Sequence, residues 1–245
     1  MLKKIILLVV LLNYCGYLFS QIETSSSNFN NKKLLVGFSI APKYSFRSLK
    51  SETGNGKIVV ESRNKNELAM MAKSFGLIVD YFFSKKIGLG LGLSYSENAQ
   101  QTQPARIASV TPQGFGIGTK EVYFVYKTNF IDIPLKLNYE IFDKKVVTLY
   151  TTLGIVNNIY FNQSTMLYTK NLSSNTTSKS TSSVSVNPYA VSFLVAAGID
   201  FNIENIKIRL QPSYDRFLTS ATNGDIKTYY YNVSLNVGII YKFVL

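Results

Sequence analysis

No histidine and no tryptophan occur anywhere in the 245 residues. Without histidine, Ser-His-Asp and Cys-His catalysis are excluded, and so are His-containing zinc sites. Cysteine is reduced to Cys15 alone, which excludes an internal disulfide. Acids are also scarce, 14 against 26 bases, for a formal net charge of +12. The bases are scattered through turns and loops and form no dense Lys/Arg block, so no nucleic-acid partner is expected. A solvated or lipid-phosphate-facing surface accounts for them. Long apolar runs are missing too. Past the first 20 residues nothing approaches the roughly 20 apolar residues of a membrane-spanning helix.

What is present begins with an export signal. Lys3 and Lys4 precede an unbroken apolar stretch from Ile5 to Leu12, and small or polar residues follow. Cleavage between Ser20 and Gln21 suits the small-residue rule, making residues 1–20 a signal peptide. Tyr14 stands where a lipoprotein signal needs a small residue, which argues against lipidation of Cys15. The mature chain then has no thiol, and loss of two lysines takes the charge from +12 to +10. The expected organisation is a short segment over 21–32 and one β-barrel over 33–245.

Period-two alternation runs through nearly the whole mature chain. Ile87, Leu89, Leu91, Leu93 and Tyr95 share one face, and Gly88, Gly90, Gly92 and Ser94 the other. Residues 228–245 repeat the pattern, with Tyr231, Val233, Leu235, Val237, Ile239 and Tyr241 opposite Asn232, Ser234, Asn236, Gly238 and Lys242. Six further strands are expected near 34–46, 69–83, 121–142, 146–161, 188–203 and 206–214. In the strand near 121–142, Val122, Phe124 and Tyr126 have the opposite parity from Ile131 to Ile141, so a β-bulge is expected near Thr128 or Asn129. Pro42, Pro134 and Pro212 fall inside strands and are assigned to bulges or strand ends.

Connections alternate in length. Tight turns at 84–86, 143–145 and 204–205 alternate with long loops at 47–68, 97–120, 162–187 and 215–227. The Ser/Thr/Asn-rich stretch from Asn171 to Thr177 is expected to be mobile. An eight-stranded antiparallel up-and-down meander gathers all short turns at one end and all long loops at the other. That is the layout of a transmembrane β-barrel with short periplasmic turns and longer extracellular loops.

The polar face decides which side meets lipid. It is small and carries Lys43, Asp80, Asp132, Lys136, Glu140, Asp200, Lys207, Arg209 and Lys242, four acids and five bases. Near-neutral charge among small residues suits a crowded, desolvated lumen, because an unpaired buried charge is costly. The other face is a continuous apolar belt with outer-membrane lipid as its natural partner. Its aromatics suggest two girdles, Tyr44, Phe46, Tyr95, Tyr229 and Tyr231 at the loop end and Tyr81, Phe83, Tyr139, Tyr241 and Phe243 at the turn end.

The stretch Asn129-Phe130-Ile131-Asp132-Ile133-Pro134-Leu135-Lys136-Leu137-Asn138-Tyr139 resembles the Y-x-x-I-P-L-x-x-K/N-Y strand of the PorT-like outer-membrane β-barrel family, typical of the Gram-negative Bacteroidota. The strand from Gly88 to Ser96 and the end from Gly238 to Phe243 are similar to it as well. Phe130 stands where that family has Tyr. The resemblance implies an eight-stranded outer-membrane barrel, with some members assisting type IX secretion. It brings no catalytic residue and no cofactor.

The remaining motifs carry no chemistry. Gly88 to Leu93 lies in a strand and opens no helix, and Gly116-Ile117-Gly118-Thr119-Lys120 lacks the phosphate-loop order. Asp132 with Glu140, or Asp80 with Asp200, are read as ion-pair partners of Lys136, Lys207 and Arg209 rather than acid/base pairs. Lys85, Lys86, Lys144 and Lys145 are turn residues. Three functions stay open: a non-enzymatic barrel acting through its loops on an envelope or secretion partner, a small-solute channel, and a soluble lipocalin-like ligand carrier.

Overall fold

The computed structural model describes residues 32–51, 53–110, 117–170, 175–180 and 186–244. The signal segment and its cleavage site at Ser20–Gln21 lie outside the described residues, as does 21–31. The described residues fold into strands β1 (Lys33–Ser51), β2 (Glu67–Phe82), β3 (Ile87–Thr102), β4 (Ala105–Val110), β5 (Ile117–Asp143), β6 (Val147–Lys170), β7 (Asn175–Ser180), β8 (Tyr189–Ile203), β9 (Ile206–Phe217) and β10 (Ile226–Val244), with one helix among them, α1 (Gly54–Asn66). Eight of the strands close a ring. Antiparallel pairing passes from β1 through β2, β3, β5, β6, β8 and β9 to β10, and β10 returns to β1. Closure leaves no sheet edge within the ring, which lipid requires.

The sidedness of the wall follows from the alternation. Leu135 is 53% exposed and Leu77 57%, whereas Asp80 is 0% and Arg209 2% exposed. Aliphatics therefore form the outside and ions the inside, the inverse of a soluble barrel. The lipocalin-like alternative, which needs the aliphatic face inside, fails on this point.

The glycine row of β3 has a specific use. A Cβ at Gly90 would fall 2.2 Å from Asp80 Oδ1 and 2.9 Å from Lys136 Cε, and one at Gly92 would fall 2.9 Å from Pro134 Cγ. Absent side chains on β3 thus make room for long side chains from its two neighbours.

All three strand prolines sit within strands, not at bulges or ends as expected. Pro42 pairs with Lys73, Pro134 with Val156 and Pro212 with Leu235 on one side. On the other side the ladder skips two positions and resumes in unchanged register. Each missing N–H costs one local break toward a single neighbour, with no shift of the strand.

The bulge expected near Thr128 or Asn129 is found in the ladder between Asn129 and Phe130, but on the partner strand. β5 keeps one register against β3 from Tyr139 to Val125 and contains no extra residue there. The extra residue is Phe161 on β6, because Asn129 faces Asn162 while Phe130 faces Tyr160. Tyr126 therefore shares the lumen parity of Thr128 and Phe130. The parity rule assumed lipid on one side, and that assumption ends where the strand leaves the bilayer.

Much of the long loops is structured. Residues 97–102, 117–120 and 162–170 continue their strands, and β4 and β7 flank them as short hairpin partners. Residues 175–177, expected to be mobile, belong to β7, while 171–174 lie outside the described residues. Helix α1 occupies the first loop. Its sequence, with Gly54, Gly56 and adjacent Ile58, Val59 and Val60, has no amphipathic period to announce it. It is held from outside itself: Asn64 accepts from Leu49 N at 2.9 Å and donates to Leu49 O at 3.0 Å.

Candidate functional site

The lumen is filled in successive levels from the turn end to the loop end. At the turn end Lys33 Nζ donates to both oxygens of Glu140, at 2.5 and 2.7 Å, and lies 4.7 Å above the Phe82 ring. Phe82, Leu35 and Ile240 pack as a buried apolar triad beside it.

The next level is a four-strand ion cluster. Arg209 on β9 donates through Nε and Nη2 to Asp200 on β8, at 2.9 and 3.1 Å, and through Nη1 to Asp80 on β2 at 2.8 Å. Lys136 on β5 lies 3.4 Å from Asp80 Oδ1, and Lys207 lies 3.6 Å from Asp200 Oδ2. Asn138 Nδ2 donates to Asp80 Oδ1 at 3.0 Å. Asp80 and Asp200 are therefore bridged by one guanidinium and do not form a carboxyl pair. The Tyr150 ring lies 4.6 Å from the same guanidinium. The strong hydrogen bonds and shared charges meet the condition under which buried ions are tolerated.

Above the cluster is a polar cavity of about 110 Å³. Lys43 Nζ donates to Ser96 Oγ at 2.7 Å and to Asn98 Oδ1 at 3.2 Å, with no ion pair among the described residues. Asp132 accepts from Asn158 Nδ2 at 2.8 Å, and Asp215 accepts from Asn232 Nδ2 at 2.8 Å. The cavity is polar and large enough for a few ordered waters.

Of the charges assigned to the lumen, five meet in one cluster: Asp80, Lys136, Asp200, Lys207 and Arg209. Lys43 and Asp132 line the cavity above it. Glu140 lies at the turn end with Lys33. Lys242 lines a turn-end recess with Asp143, Lys144 and Glu204, and makes no ion pair among the described residues. Sequence reasoning missed Lys33 and Asp215. With these two added and Lys242 set aside at the rim, the levels below the mouth hold five acids and five bases among the described residues.

An aromatic plug closes the loop half. Phe130, Phe217 and Tyr230 meet edge to face, with ring centroids 5.4 to 6.2 Å apart, and Tyr160 packs against them. Tyr230 Oη and Thr128 Oγ1 are 3.0 Å apart. In the sequence Phe130 stands out as the departure from the family's Tyr, and its lumen parity with Asp132 is the signal for its place in the plug.

Outside the plug lies a mouth cavity of about 300 Å³. Arg47 holds Glu67 through Nε and Nη2, and Arg63 Nε reaches the same carboxylate at 2.9 Å. Both guanidiniums lie against the Tyr126 ring, at 5.1 and 5.5 Å from its centroid.

The sequence model of a family described as outer membrane protein beta-barrel domain matches residues 19–223. Among solved structures, the outer membrane protein OprG from Pseudomonas aeruginosa is similar over 89% of this chain and 99% of its own, at 13% identity and a TM-score of 0.49. Neisserial surface protein A is similar over 86% of this chain and 97% of its own, at 10% identity and a TM-score of 0.42. The Escherichia coli outer membrane protease OmpT is similar over 90% of this chain and 99% of its own, at 12% identity and a TM-score of 0.40. Comparison with curated proteins gives no match.

Proposed function

The chain belongs to the outer membrane protein β-barrel domain family, and from that premise we propose that it is a non-enzymatic, closed barrel that works through its loop end on a partner outside the bilayer. Its place is the bacterial outer membrane. The observation that supports a loop-end role is the length of β5 and β6. They span 27 and 24 residues, where crossing a bilayer takes about 9–11. Past the end of the β8 ladder on β6, Glu121 to Asn129 pairs with Asn162 to Lys170, and β4 and β7 widen the pair into a projecting sheet. Tyr123 and Tyr168 stack on it at 5.0 Å. Adhesion, envelope assembly and secretion support all suit such a platform. Secretion of the type IX kind rests only on the PorT-like resemblance of Asn129 to Tyr139, and signal-peptide export on residues 1–20.

The reading is tested by deleting residues 165–183 and by photocrosslinking in whole cells from position 123, with position 144 as the turn-end control. The deletion protein is expected to keep heat-modifiable migration, the gel signature of a folded barrel, and to lose a discrete adduct formed from position 123. An adduct that survives the deletion, or one formed equally from position 144, would overturn the reading. A channel is the second reading, and it requires the ion cluster and the plug to part.

A further inference from the structure

We propose that the mouth cavity binds a small organic anion, a carboxylate or phosphate on a compact apolar body. Three observations carry this. First, the charge is unbalanced: Arg47 and Arg63 share the single carboxylate of Glu67, leaving one positive charge in excess. Arginine stays protonated at any physiological pH, so the excess is permanent.

Second, donors are left over on residues that line the space. Arg47 spends Nε and Nη2 on Glu67, and Arg63 spends only Nε. Arg47 Nη1 and both Nη atoms of Arg63 have no partner among the described residues, although both side chains line the cavity. Arg47 is held rigidly, with its side chain only 7% exposed. Contact with the Tyr126 ring restrains both guanidiniums, which lowers the entropy cost of presenting them to a ligand.

Third, the rest of the lining suits an apolar body with polar ends. Among the described residues it includes no acid, and Leu49, Val186 and Ile226 supply apolar wall. Thr128, Gln163 and Thr228 add hydrogen-bonding groups. Tyr230 from the plug forms the floor, so a ligand entering from the loop end goes no deeper. About 300 Å³ lies at the small end of ligand pockets, which recur in the mouths of barrels. The inference is independent of any partner held by the projecting sheet.

The test uses the full chain in lipid nanodiscs and fluorine NMR of para-fluorobenzoate, with phenyl phosphate as competitor and para-fluorobenzamide as the neutral isostere. Saturable binding of the anion, displaced by phenyl phosphate, is expected, and the amide should bind at least about tenfold more weakly. Arg63→Gln, a partly exposed position, should weaken anion binding about tenfold by removing a charge-assisted donor while leaving heat-modifiable migration unchanged. Arg47→Gln should weaken it further, and Arg63→Gln decides the question if that variant fails to fold. No saturable binding of either anion up to about 10 mM, equal binding of the amide, or unchanged affinity in Arg63→Gln would overturn the proposal.

Discussion

Tyr150 on β6 and Gly198 on β8 are direct cross-strand partners, and the phenol ring fills the space a side chain at 198 would need. A Cβ at Gly198 would lie 2.3 Å from both Tyr150 Cζ and Oη. The ring in turn lies against the Arg209 guanidinium, so this glycine sets the position of an aromatic that abuts the ion cluster. Gly198→Ala is expected to cost about 1–3 kcal/mol, the usual penalty for overpacking. Urea unfolding followed by heat-modifiable gel migration measures it. Because the clash is with one side chain, Tyr150→Ala should relieve it. The double variant should therefore be more stable than the sum of the two single losses. Additive losses would show that the strain at 198 lies elsewhere.

Asp80 faces two cations at once, Arg209 at 2.8 Å and Lys136 at 3.4 Å. Asp80→Asn leaves both buried with one acid, Asp200, still on the arginine and none on the lysine. The expected loss is about 3–5 kcal/mol, the cost of an uncompensated buried charge. Lys136→Met in the same chain should recover much of it, since the orphaned ammonium is then gone. A double variant no more stable than Asp80→Asn alone would contradict this account of the cluster.

The legible parts of the fold are those with a period. Strict alternation at Ile87 to Tyr95 and at Tyr229 to Phe243 marked outward residues correctly, because a closed wall between lipid and lumen enforces a period of two. On other strands the same alternation puts Asp80, Lys136, Asp200, Lys207 and Arg209 opposite apolar residues, and these five meet in one cluster, whereas Lys242 sits at the rim. Which of them touch was not. Arg209 joins β9 to β2 across 129 residues, a contact fixed by ring closure and not by spacing. Lys33 was missed because it stands at the very start of β1, before the alternation is established. Helix α1 was missed because it is held by the Asn64 clamp on Leu49 and by Glu67, with no apolar stripe of its own. Tyr126 was placed on the wrong side because hydrophobic character stops predicting lipid contact once β5 has left the membrane.

Leu135 lies on the outer face between Leu91 and Ile155, and it is 53% exposed in the chain itself. Leu135→Arg places a charge on the lipid side near the middle of the wall. In bilayers the variant should lose about 2–4 kcal/mol of folding stability, against a small change for Leu135→Ala. Folding titrations into vesicles check this. If Leu135→Arg folds into vesicles as well as Leu135→Ala, the outer face is not immersed in hydrocarbon.

Two separate obstructions lie along the lumen, and this bears on conduction. The Asp80–Arg209–Asp200 bridge ties β2, β9 and β8 together through the interior, and Lys136 adds β5. The plug of Phe130, Phe217 and Tyr230 closes the loop half independently. Eight strands enclose a space that side chains fill, so neither level leaves a continuous water column. Planar-bilayer recordings of the wild-type chain should show no stable conductance. Phe130→Ala should cost about 3–5 kcal/mol by cavity formation and still not conduct, because the ion cluster remains below. Stable single-channel steps in the wild type would require both levels to open together, and would move the channel reading ahead of the loop-end one. Steps that appear only in Phe130→Ala would show instead that the ion cluster alone does not seal the lumen.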